Sequence, residues 1–230
     1  MWWTKSMNTF SNGLLNEQAF ALTVNGRNLL SVLMLPDLKE EFARGYLVTE
    51  AIVAAKEIES VMLDGSTIGV LTRDPLKVLL PKRSVVSGCG GTASYLDPAR
   101  LPVISGGITL PKDLLAARFP QNILAAGGFC AAAVLSDGTC ITAKDLSQPT
   151  AIDKVCGSLL RTGHKPTDAA LIISGKPTAD TIRKTLNAGF SILAGYLPPT
   201  ALAVKLADSG NLTLVEIPHK KIYTHPERIR

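Results

Sequence analysis

The sequence predicts an α/β protein in which a largely parallel sheet is covered by helices. The last third of the 230-residue chain reads as strands over 169–173, 190–193 and 212–217 that alternate with helices over 178–186 and 200–207. This alternation with short links is typical of a sheet whose parallel strands are joined by crossover helices. The hydrophobic fraction of 46% is sufficient for one large domain or two small ones with a real core.

The first third of the chain predicts a smaller unit of strands and one helix. Residues 17–35 alternate apolar and polar positions around Asn25-Gly26, a strong turn dipeptide, and therefore predict a hairpin. Asp37 is expected to cap a helix that runs to about Ala55, with Glu40 completing a capping box. Short strands are expected at 58–63, 67–72 and 76–80.

The middle of the chain is richest in turn-forming residues. Residues 82–112 hold five glycines and three prolines and predict a loop-rich seam between two lobes, where functional residues gather. A short helix is expected over 114–119, a strand over 129–135, and a helix capped by Thr150 after that. The expected units are a flexible segment 1–16, a small lobe 17–82, a cysteine loop with linker 83–112, and an α/β domain 113–230.

Charge and hydropathy indicate which ligands and which cellular location to expect. The net charge of +5 and the isoelectric point near 9.1 would suit anionic ligands. The lysines and arginines are scattered rather than clustered, so no nucleic-acid partner is expected. The longest apolar stretch, residues 29–35, is too short to span a bilayer, and the first six residues lack the features of a signal peptide. We therefore expect a cytoplasmic protein with no membrane segment and mostly reduced cysteines.

Cys89 is the candidate reactive centre. It lies in the run Ser87-Gly88-Cys89-Gly90-Gly91, where neighbouring glycines leave the thiol uncovered. Lys82 and Arg83 are close in sequence and would favour the reactive thiolate. The alternative is a small apolar side chain in a turn.

The remaining cysteines are expected to pack in the core rather than react. Cys130 and Cys156 lie in apolar surroundings, and Cys140 alternates with its strand neighbours. No Cys-x-x-Cys pair occurs, and the three histidines are far from the four cysteines in sequence. Since zinc ligands usually come in close pairs, no metal site is expected. Asp145 and Asp153 are the internal carboxylates of interest, although Asp153 is also well placed to complement a helix dipole.

Short segments distributed over nearly the whole chain, 17–230, form a recognisable ordered set. They are Val24-Asn25-Gly26, the helix 41–50, Ser87-Gly88-Cys89-Gly90, Gly127-Gly128 with Ala131-Ala132, Lys144-Asp145, Ala151-Ile152-Asp153-Lys154 with Gly157, Ser174-Gly175-Lys176, Gly189, Pro199-Thr200, Leu202-Ala203 and Tyr223. In this order they resemble the FdhD/NarQ family of formate dehydrogenase accessory sulfurtransferases.

The resemblance implies a sulfur carrier with no cofactor of its own. Such a protein takes a persulfide sulfur from a cysteine desulfurase and passes it to the molybdenum or tungsten bis-pterin guanine dinucleotide cofactor of formate dehydrogenase or a related enzyme. By position, Cys89 would hold the persulfide. The residues that would contact the dinucleotide are Ile217, Pro218, His219, Lys220, Lys221 and Ile222. The links 174–177 and 195–200, which precede predicted helices, would suit its phosphates.

The same resemblance implies a fold and an assembly. The fold would be a small N-terminal α+β lobe plus a three-layer α/β/α domain related to cytidine deaminases, and the assembly a homodimer. A zinc-dependent deaminase activity is excluded, because it requires a Pro-Cys-x-x-Cys pair, which is absent.

Three departures from the family pattern bear on mechanism. Thr92 stands where the family usually has a second cysteine, and Cys130 replaces a histidine. After Asp145 the chain reads Leu-Ser-Gln-Pro-Thr instead of Val-Gly-Arg-His-Asn. The alternative function is therefore a non-catalytic chaperone that binds the dinucleotide cofactor or its client enzyme.

Overall fold

The computed structural model describes residues 10–11, 14–78, 83–85, 92–94, 97–115 and 119–230, of which 10–11, 83–85 and 92–94 are described by their backbone alone. The strands are β1 (Phe10–Ser11), β2 (Leu14–Leu15), β3 (Gln18–Val24), β4 (Arg27–Met34), β5 (Ile58–Asp64), β6 (Thr67–Thr72), β7 (Arg83–Val85), β8 (Thr92–Ser94), β9 (Phe129–Leu135), β10 (Cys140–Asp145), β11 (Ala169–Ile173), β12 (Ile192–Gly195), β13 (Thr213–Glu216) and β14 (Lys221–Thr224). The helices are α1 (Lys39–Thr49), α2 (Gln121–Ala125), α3 (Gln148–Arg161), α4 (Ala179–Ala188) and α5 (Ala201–Ser209).

The larger sheet has six strands in the order β10-β9-β11-β12-β13-β14. Its centre, β11-β12-β13, is parallel, as the alternation of strands and helices predicts, because α4 and α5 provide the crossovers. The expectation of a largely parallel sheet is nevertheless wrong for the outer strands, since β9, β10 and β14 are antiparallel to their neighbours. The short turns after β9 and β13 leave no length for a crossover, so these links produce hairpins.

Helices cover the two faces of this sheet unequally. On one face, α3, α4 and α5 pack over Ala133, Leu171 and Leu214. On the other face, Ile172 and its neighbours pack beneath α2 and a loop that includes Leu110. The α/β class is therefore confirmed, and the relationship to cytidine deaminases stays a prediction. Within the described residues, no helix combines the length and the apolar character needed to cross a bilayer.

The smaller sheet has four strands in the order β4-β3-β6-β5. Its β3–β4 hairpin turns at Asn25 and Gly26, whose φ angles of 50° and 77° match the turn that this dipeptide favours. Phe20 and Ile68 from this sheet belong to the same apolar cluster as Leu193 of the larger sheet. The two sheets therefore share one continuous core, with α1 packed between the smaller sheet and α3.

Helix α1 begins differently from the prediction. Its first flanking residue is Leu38, which adopts a left-handed φ of 51° and forms no side-chain cap. The Asp37 carboxylate instead receives a hydrogen bond of 2.6 Å from the buried Lys154 ammonium. The helix also ends at Thr49 rather than near Ala55, because Ala51 takes a left-handed φ of 54°.

Three further element predictions require correction. The proposed strand over 76–80 begins as a 3-10 turn at Pro75–Lys77, and its last two residues lie outside the described set. The proposed helix over 114–119 is a 3-10 turn at Lys112–Leu115 as far as it is described. Helix α3 is capped by Ser147, whose Oγ accepts from the Thr150 amide at 3.3 Å, so Thr150 lies inside the helix.

Asp37→Asn separates a capping role from an ion-pairing role. Asparagine caps helices as well as aspartate does, so a capping residue would tolerate this change. We expect a loss of about 1 kcal/mol in the free energy of unfolding, because Lys154 loses one of its charged hydrogen bonds. Urea unfolding measures this loss. The matched control is Asp97→Asn, at a half-buried residue that caps a 3-10 turn and pairs only with the exposed Arg100 among the described residues. Equal stability of Asp37→Asn and the unsubstituted protein would contradict the ion-pairing role.

Candidate functional site

The strand-to-helix links that the sequence singles out lie together at one edge of the larger sheet, formed by the ends of its strands. The carboxyl ends of β11, β12 and β13 meet there, together with the start of β9 and the end of β10. Thr178 caps α4 and Thr200 caps α5, each directly after a link that leaves this edge. The predicted links therefore do join strand ends to helix N-termini, where amide donors and the helix dipole favour anions.

The links at this edge are held by side chains that pack directly against glycine backbone. A Cβ on Gly175 would lie 2.6 Å from Gln148 Oε1, and a Cβ on Gly195 would lie 2.7 Å from Pro177 Cγ. The buried Gln148 side chain accepts from the Gly175 amide at 2.8 Å and donates to the Cys130 carbonyl at 3.3 Å. These contacts fix the β11 link against β9, so the edge is a rigid frame.

The six residues of the predicted dinucleotide-contact segment, 217–222, form the turn from β13 to β14 at this same edge. The Ile217 amide donates to the Gly195 carbonyl at 2.9 Å, and the Lys220 amide donates to the Ile217 carbonyl at 3.1 Å. Ile217 and Ile222 are half-buried and pack against the core beneath α2. Pro218, His219, Lys220 and Lys221 are exposed. The turn therefore presents an imidazole and two ammonium groups to solvent.

Glu216, at the end of β13, organises this turn. Its side chain is 5% exposed, and its two oxygens accept from His219 Nδ1 at 2.5 Å and from the Tyr223 hydroxyl at 2.8 Å. The hydrogen bond from His219, followed by that from Tyr223, lowers the pKa of the Glu216 carboxyl. Sequence reasoning missed Glu216, and the only signal for it is its spacing of three residues from His219.

The two internal carboxylates flagged from sequence lie in buried ion pairs. Asp145 Oδ2 is 2.6 Å from Lys154 Nζ, and both side chains are fully buried. Asp153 Oδ1 is 2.8 Å from Lys184 Nζ, and burial raises the Asp153 pKa to about 6 even though Lys184 opposes this effect. These pairs connect α3 with α4 and with the end of β10, on the opposite side of the sheet from β14, so they stabilise the fold at a distance from the turn 217–222.

Sequence reasoning missed three members of the same ion-pair network. Glu50 bridges Lys184 Nζ at 2.7 Å and Arg183 Nη2 at 2.8 Å. Burial raises the Glu50 pKa, but Lys184 and Arg183 outweigh burial and hold it at about 2. Lysine and arginine on a helix are normally solvated, so the pattern of α4 gave no sign that Arg183 and Lys184 are buried.

Two of the three described cysteines are buried, as predicted, and the third is exposed. Burial raises the pKa of Cys130 to about 11 and that of Cys156 to about 12, as expected for core thiols. The expectation for Cys140 is wrong: it is exposed, because it is the first residue of the edge strand β10. Cys89 lies outside the described residues, between β7 and β8, which pair Val85 with Thr92.

The described part of the chain contains no group of three or more His, Cys, Asp or Glu side chains that could hold a metal ion. A cleft of about 370 Å³ lies beside the end of α3 and is lined in part by Arg44 and Arg161. Both arginines pair with Glu40, and Arg161 also pairs with Glu41, so the cleft is close to neutral.

Comparisons with known proteins agree with this arrangement. The model of the FdhD/NarQ family matches residues 15–230. The sulfur carrier protein FdhD of Bordetella bronchiseptica is 30% identical over 246 residues, which cover 95% of this chain and 88% of that protein. The sulfur carrier protein FdhD of Geobacillus kaustophilus is 29% identical over 235 residues, covering 93% of this chain and 88% of that protein.

A solved structure shares the fold. A chain assigned as a formate dehydrogenase accessory protein from Desulfotalea psychrophila superimposes with a TM-score of 0.73 at 20% identity, covering 94% of this chain and 90% of that one. The family match begins at Leu15 and continues to the last residue. Fold and sequence thus agree along nearly the whole length, and the chain belongs to the FdhD/NarQ family.

Proposed function

We propose that this protein is a sulfur carrier that receives a persulfide sulfur on Cys89. The sulfur comes from a cysteine desulfurase and goes to the pterin guanine dinucleotide cofactor of formate dehydrogenase or a related molybdenum or tungsten enzyme. Membership of the FdhD/NarQ family carries the proposal, since its named relatives are sulfur carrier proteins. The retained run Ser87-Gly88-Cys89-Gly90 supports it, because that run supplies the thiol.

The loading step is a thiol–persulfide exchange. The Cys89 thiolate attacks the outer sulfur of the donor's persulfide, a new S–S bond forms on Cys89, and the donor's S–S bond breaks. The donor cysteine leaves as a thiolate with the bonding electron pair, so no external oxidant or reductant is needed. Arg83 and Lys82, which are close to Cys89 in sequence, would favour the thiolate form through their positive charge.

The other thiols of the chain are not expected to attack the persulfide on Cys89. A resolving thiolate would attack the persulfide, form a disulfide and expel sulfide. Thr92 cannot do this. Cys130 and Cys156 are buried, and their raised pKa values keep them protonated near neutral pH. Cys140 is exposed, but partial burial raises its thiol pKa above the ordinary value, so it too is mostly protonated near neutral pH. The persulfide on Cys89 is therefore expected to persist until an acceptor arrives.

The cargo would bind at the carboxyl edge of the larger sheet, along the turn 217–222. The dinucleotide carries a diphosphate, and the donor set there fits an anion of this kind. It consists of the exposed side chains of His219, Lys220 and Lys221 beside the links that precede α4 and α5. These contacts would hold the phosphates, while the metal and its pterins supply the sulfur-accepting chemistry.

Intact-mass measurement with a cysteine desulfurase and free cysteine tests the loading step. We expect the protein to gain the mass of one sulfur atom that a reductant removes. Cys89→Ser is expected to gain none, and Cys140→Ser, the matched change at an exposed cysteine, is expected to load normally. Full loading of Cys89→Ser would rule out Cys89 as the carrier.

The chaperone alternative makes the opposite prediction in a second assay. A client dehydrogenase produced with Cys89→Ala should be inactive if sulfur transfer is the function. Full activity of that client would show that the protein binds the cofactor or the client without sulfur chemistry.

A further inference from the structure

The outermost strand of the larger sheet, β10, directs part of its backbone away from its neighbour β9. In an antiparallel ladder, alternate residues exchange hydrogen bonds with the facing strand, and the residues between them point the other way. The Cys130 carbonyl on β9 accepts from the Ser174 amide, directly after β11, at 3.0 Å, so it faces away from its register partner Lys144. Lys144 therefore directs its backbone groups outward from β10, and so do Thr142 and Cys140.

These outward groups form an open lateral side of the sheet. Within the described ranges, the outward backbone groups of Cys140, Thr142 and Lys144 have no hydrogen-bond partner. Cys140 and Thr142 are exposed, and Lys144 is half-buried. The adjoining Asp145 is fully buried against Lys154 and adds no exposed charge. A row of unpaired backbone donors and acceptors of this kind is a template for a further strand.

β10 differs from the other outermost strands of the larger and smaller sheets, which are β14, β4 and β5. The pairing of each of those three strands with its neighbour contains a register shift. The six residues of β10 pair with β9 in one unbroken register. Bulges twist a strand away from further pairing, so they protect the other three lateral sides. The lateral side of β10 has no such protection.

We propose that two copies of this chain associate through antiparallel pairing of their β10 strands, so that the two larger sheets form one continuous sheet across a twofold axis. The axis passes beside Thr142, which lies opposite Thr142 of the second copy. Cys140 lies opposite Lys144 of the second copy, and Lys144 lies opposite Cys140. Each of these facing pairs exchanges two backbone hydrogen bonds.

The pattern of residues on β10 favours a second copy as the occupant. A twofold axis beside Thr142 pairs all three outward residues with one another, and an axis at any other position places at least one of them opposite a residue outside β10. This register also keeps the two Lys144 ammonium groups apart, because each faces an uncharged Cys140. The central pair of threonines is a favourable cross-strand pair. The strand is therefore complementary to itself in shape, hydrogen bonding and charge.

This assembly goes beyond the proposed function. The family resemblance implies a homodimer without an interface, and β10 provides one. Because the two β10 strands run in opposite directions, the carboxyl edges of the two larger sheets would face opposite ends of the continuous sheet. Each copy would then bind its own cargo along its own turn 217–222, without residues from the second copy.

Sedimentation equilibrium of the full-length protein tests the proposal. We expect a species of about twice the chain mass of 24.4 kDa. Thr142→Pro removes the central outward amide from each copy and should weaken association about tenfold or more. The monomer should still fold, because that amide makes no bond within the sheet and proline is tolerated at such positions. Circular dichroism and urea unfolding check this.

A second variant keeps the test valid if proline disturbs the monomer. Thr142→Glu places two carboxylates opposite each other and should weaken association several-fold, since facing like charges destabilise a strand pair. Thr167→Glu is the matched control, at an exposed threonine outside β10, and should leave association unchanged.

Disulfide trapping reads the register directly. The Cα atoms of a hydrogen-bonded antiparallel pair are about 5.5 Å apart, a separation that a disulfide spans. In a background of Cys89→Ser and Cys140→Ser, Thr142→Cys should form a covalent dimer on oxidation, and Thr167→Cys should not. A purely monomeric unsubstituted protein, an association that Thr142→Glu leaves unchanged, or failure of Thr142→Cys to crosslink would overturn the inference. Each of these results would leave the Cys89 loading assay unaffected.

Discussion

Gly157→Ala is expected to lower the free energy of unfolding by about 3 kcal/mol or more. A Cβ at this position of α3 would lie 1.8 Å from the Glu41 carbonyl oxygen of α1. Overpacking a core costs about 1–3 kcal/mol when flexible side chains can move aside. Here the obstacle is the backbone of a neighbouring helix, so α1 and α3 must separate and disturb the core that they share.

A second glycine between α1 and α3 lies equally close to the backbone of the facing helix. A Cβ on Gly45 of α1 would lie 1.7 Å from the Asp153 carbonyl oxygen of α3. Gly45→Ala should therefore destabilise to a similar extent. The two effects should not add, because helix separation caused by one alanine also makes room for the other.

Urea unfolding followed by far-ultraviolet circular dichroism measures this prediction. Gly106→Ala is the matched control, because no atom lies within 4 Å of its added Cβ and its φ is not left-handed. That control should change stability by less than about 0.5 kcal/mol. A Gly157→Ala variant as stable as the control would show that α1 and α3 do not pack backbone to backbone.

The close helix contact explains why several segments of the family resemblance are structural. Gly45, Glu50, Asp153, Lys154 and Gly157 all lie where α1 meets the helices of the larger sheet. Backbone contact leaves room for glycine alone, and the buried charges require one another. These residues fix the smaller sheet and α1 to the frame whose opposite strands carry the turn 217–222.

Local signals were sufficient to predict much of the fold. Asn25-Gly26 fixed the hairpin, because few dipeptides accept positive φ at both positions. The starts of α4 and α5 follow Thr178 and Thr200, which are favourable caps. The central parallel strands followed from their apolar runs and crossover helices. In each case residues within one segment, or the order of adjacent segments, were enough to predict the structure.

The errors arose where a distant residue determines the outcome. Asp37 has the right spacing for a cap, but the buried Lys154, which is 117 positions away, takes its carboxylate. Cys140 has the alternation of a core residue, but β10 is the edge strand of its sheet, which only the assembled topology shows. Sequence periodicity carries no information on either partner.

Part of the candidate site was predictable, because it depends on the order of elements along the chain. Strand-to-helix links converge on one edge of any sheet with parallel strands, so the position of these links followed from the order of elements. The role of the segment 217–222 came from the family resemblance alone. Glu216 was missed because a glutamate that ends a strand is usually solvated, and its hydrogen bonds to His219 and Tyr223 depend on the shape of the turn.

Lys184→Met is expected to lower the free energy of unfolding by about 3–5 kcal/mol at pH 8, the range for removal of one partner from a buried ion pair. The Lys184 ammonium lies between Asp153 and Glu50, at 2.8 Å and 2.7 Å, with its side chain 3% exposed. Methionine fills a similar volume but leaves the two carboxylates without this shared cation. Glu50 keeps Arg183, so the Asp153 carboxylate loses most.

The destabilisation should depend on pH in a defined direction. Burial already raises the Asp153 pKa to about 6, and loss of Lys184 removes the charge that opposes this rise. A group whose pKa is higher in the folded state favours folding below its unfolded value, and this contribution is lost as pH rises through the folded value. Lys184→Met should therefore be least destabilising near pH 5, where Asp153 is protonated, and most destabilising at pH 8.

Urea unfolding at pH 5 and pH 8 measures this pH-dependent loss of stability, with Arg100→Met as the matched control. Arg100 also pairs with an aspartate, Asp97 at 3.4 Å, but its side chain is 85% exposed, so its loss should cost less than about 0.5 kcal/mol at both pH values. A Lys184→Met effect that is equally small would mean that water screens the cluster. An effect that is large but independent of pH would mean that Asp153 stays ionised without its cation. Since burial makes an uncompensated carboxylate costly, protonation of Asp153 is the expected response of the fold.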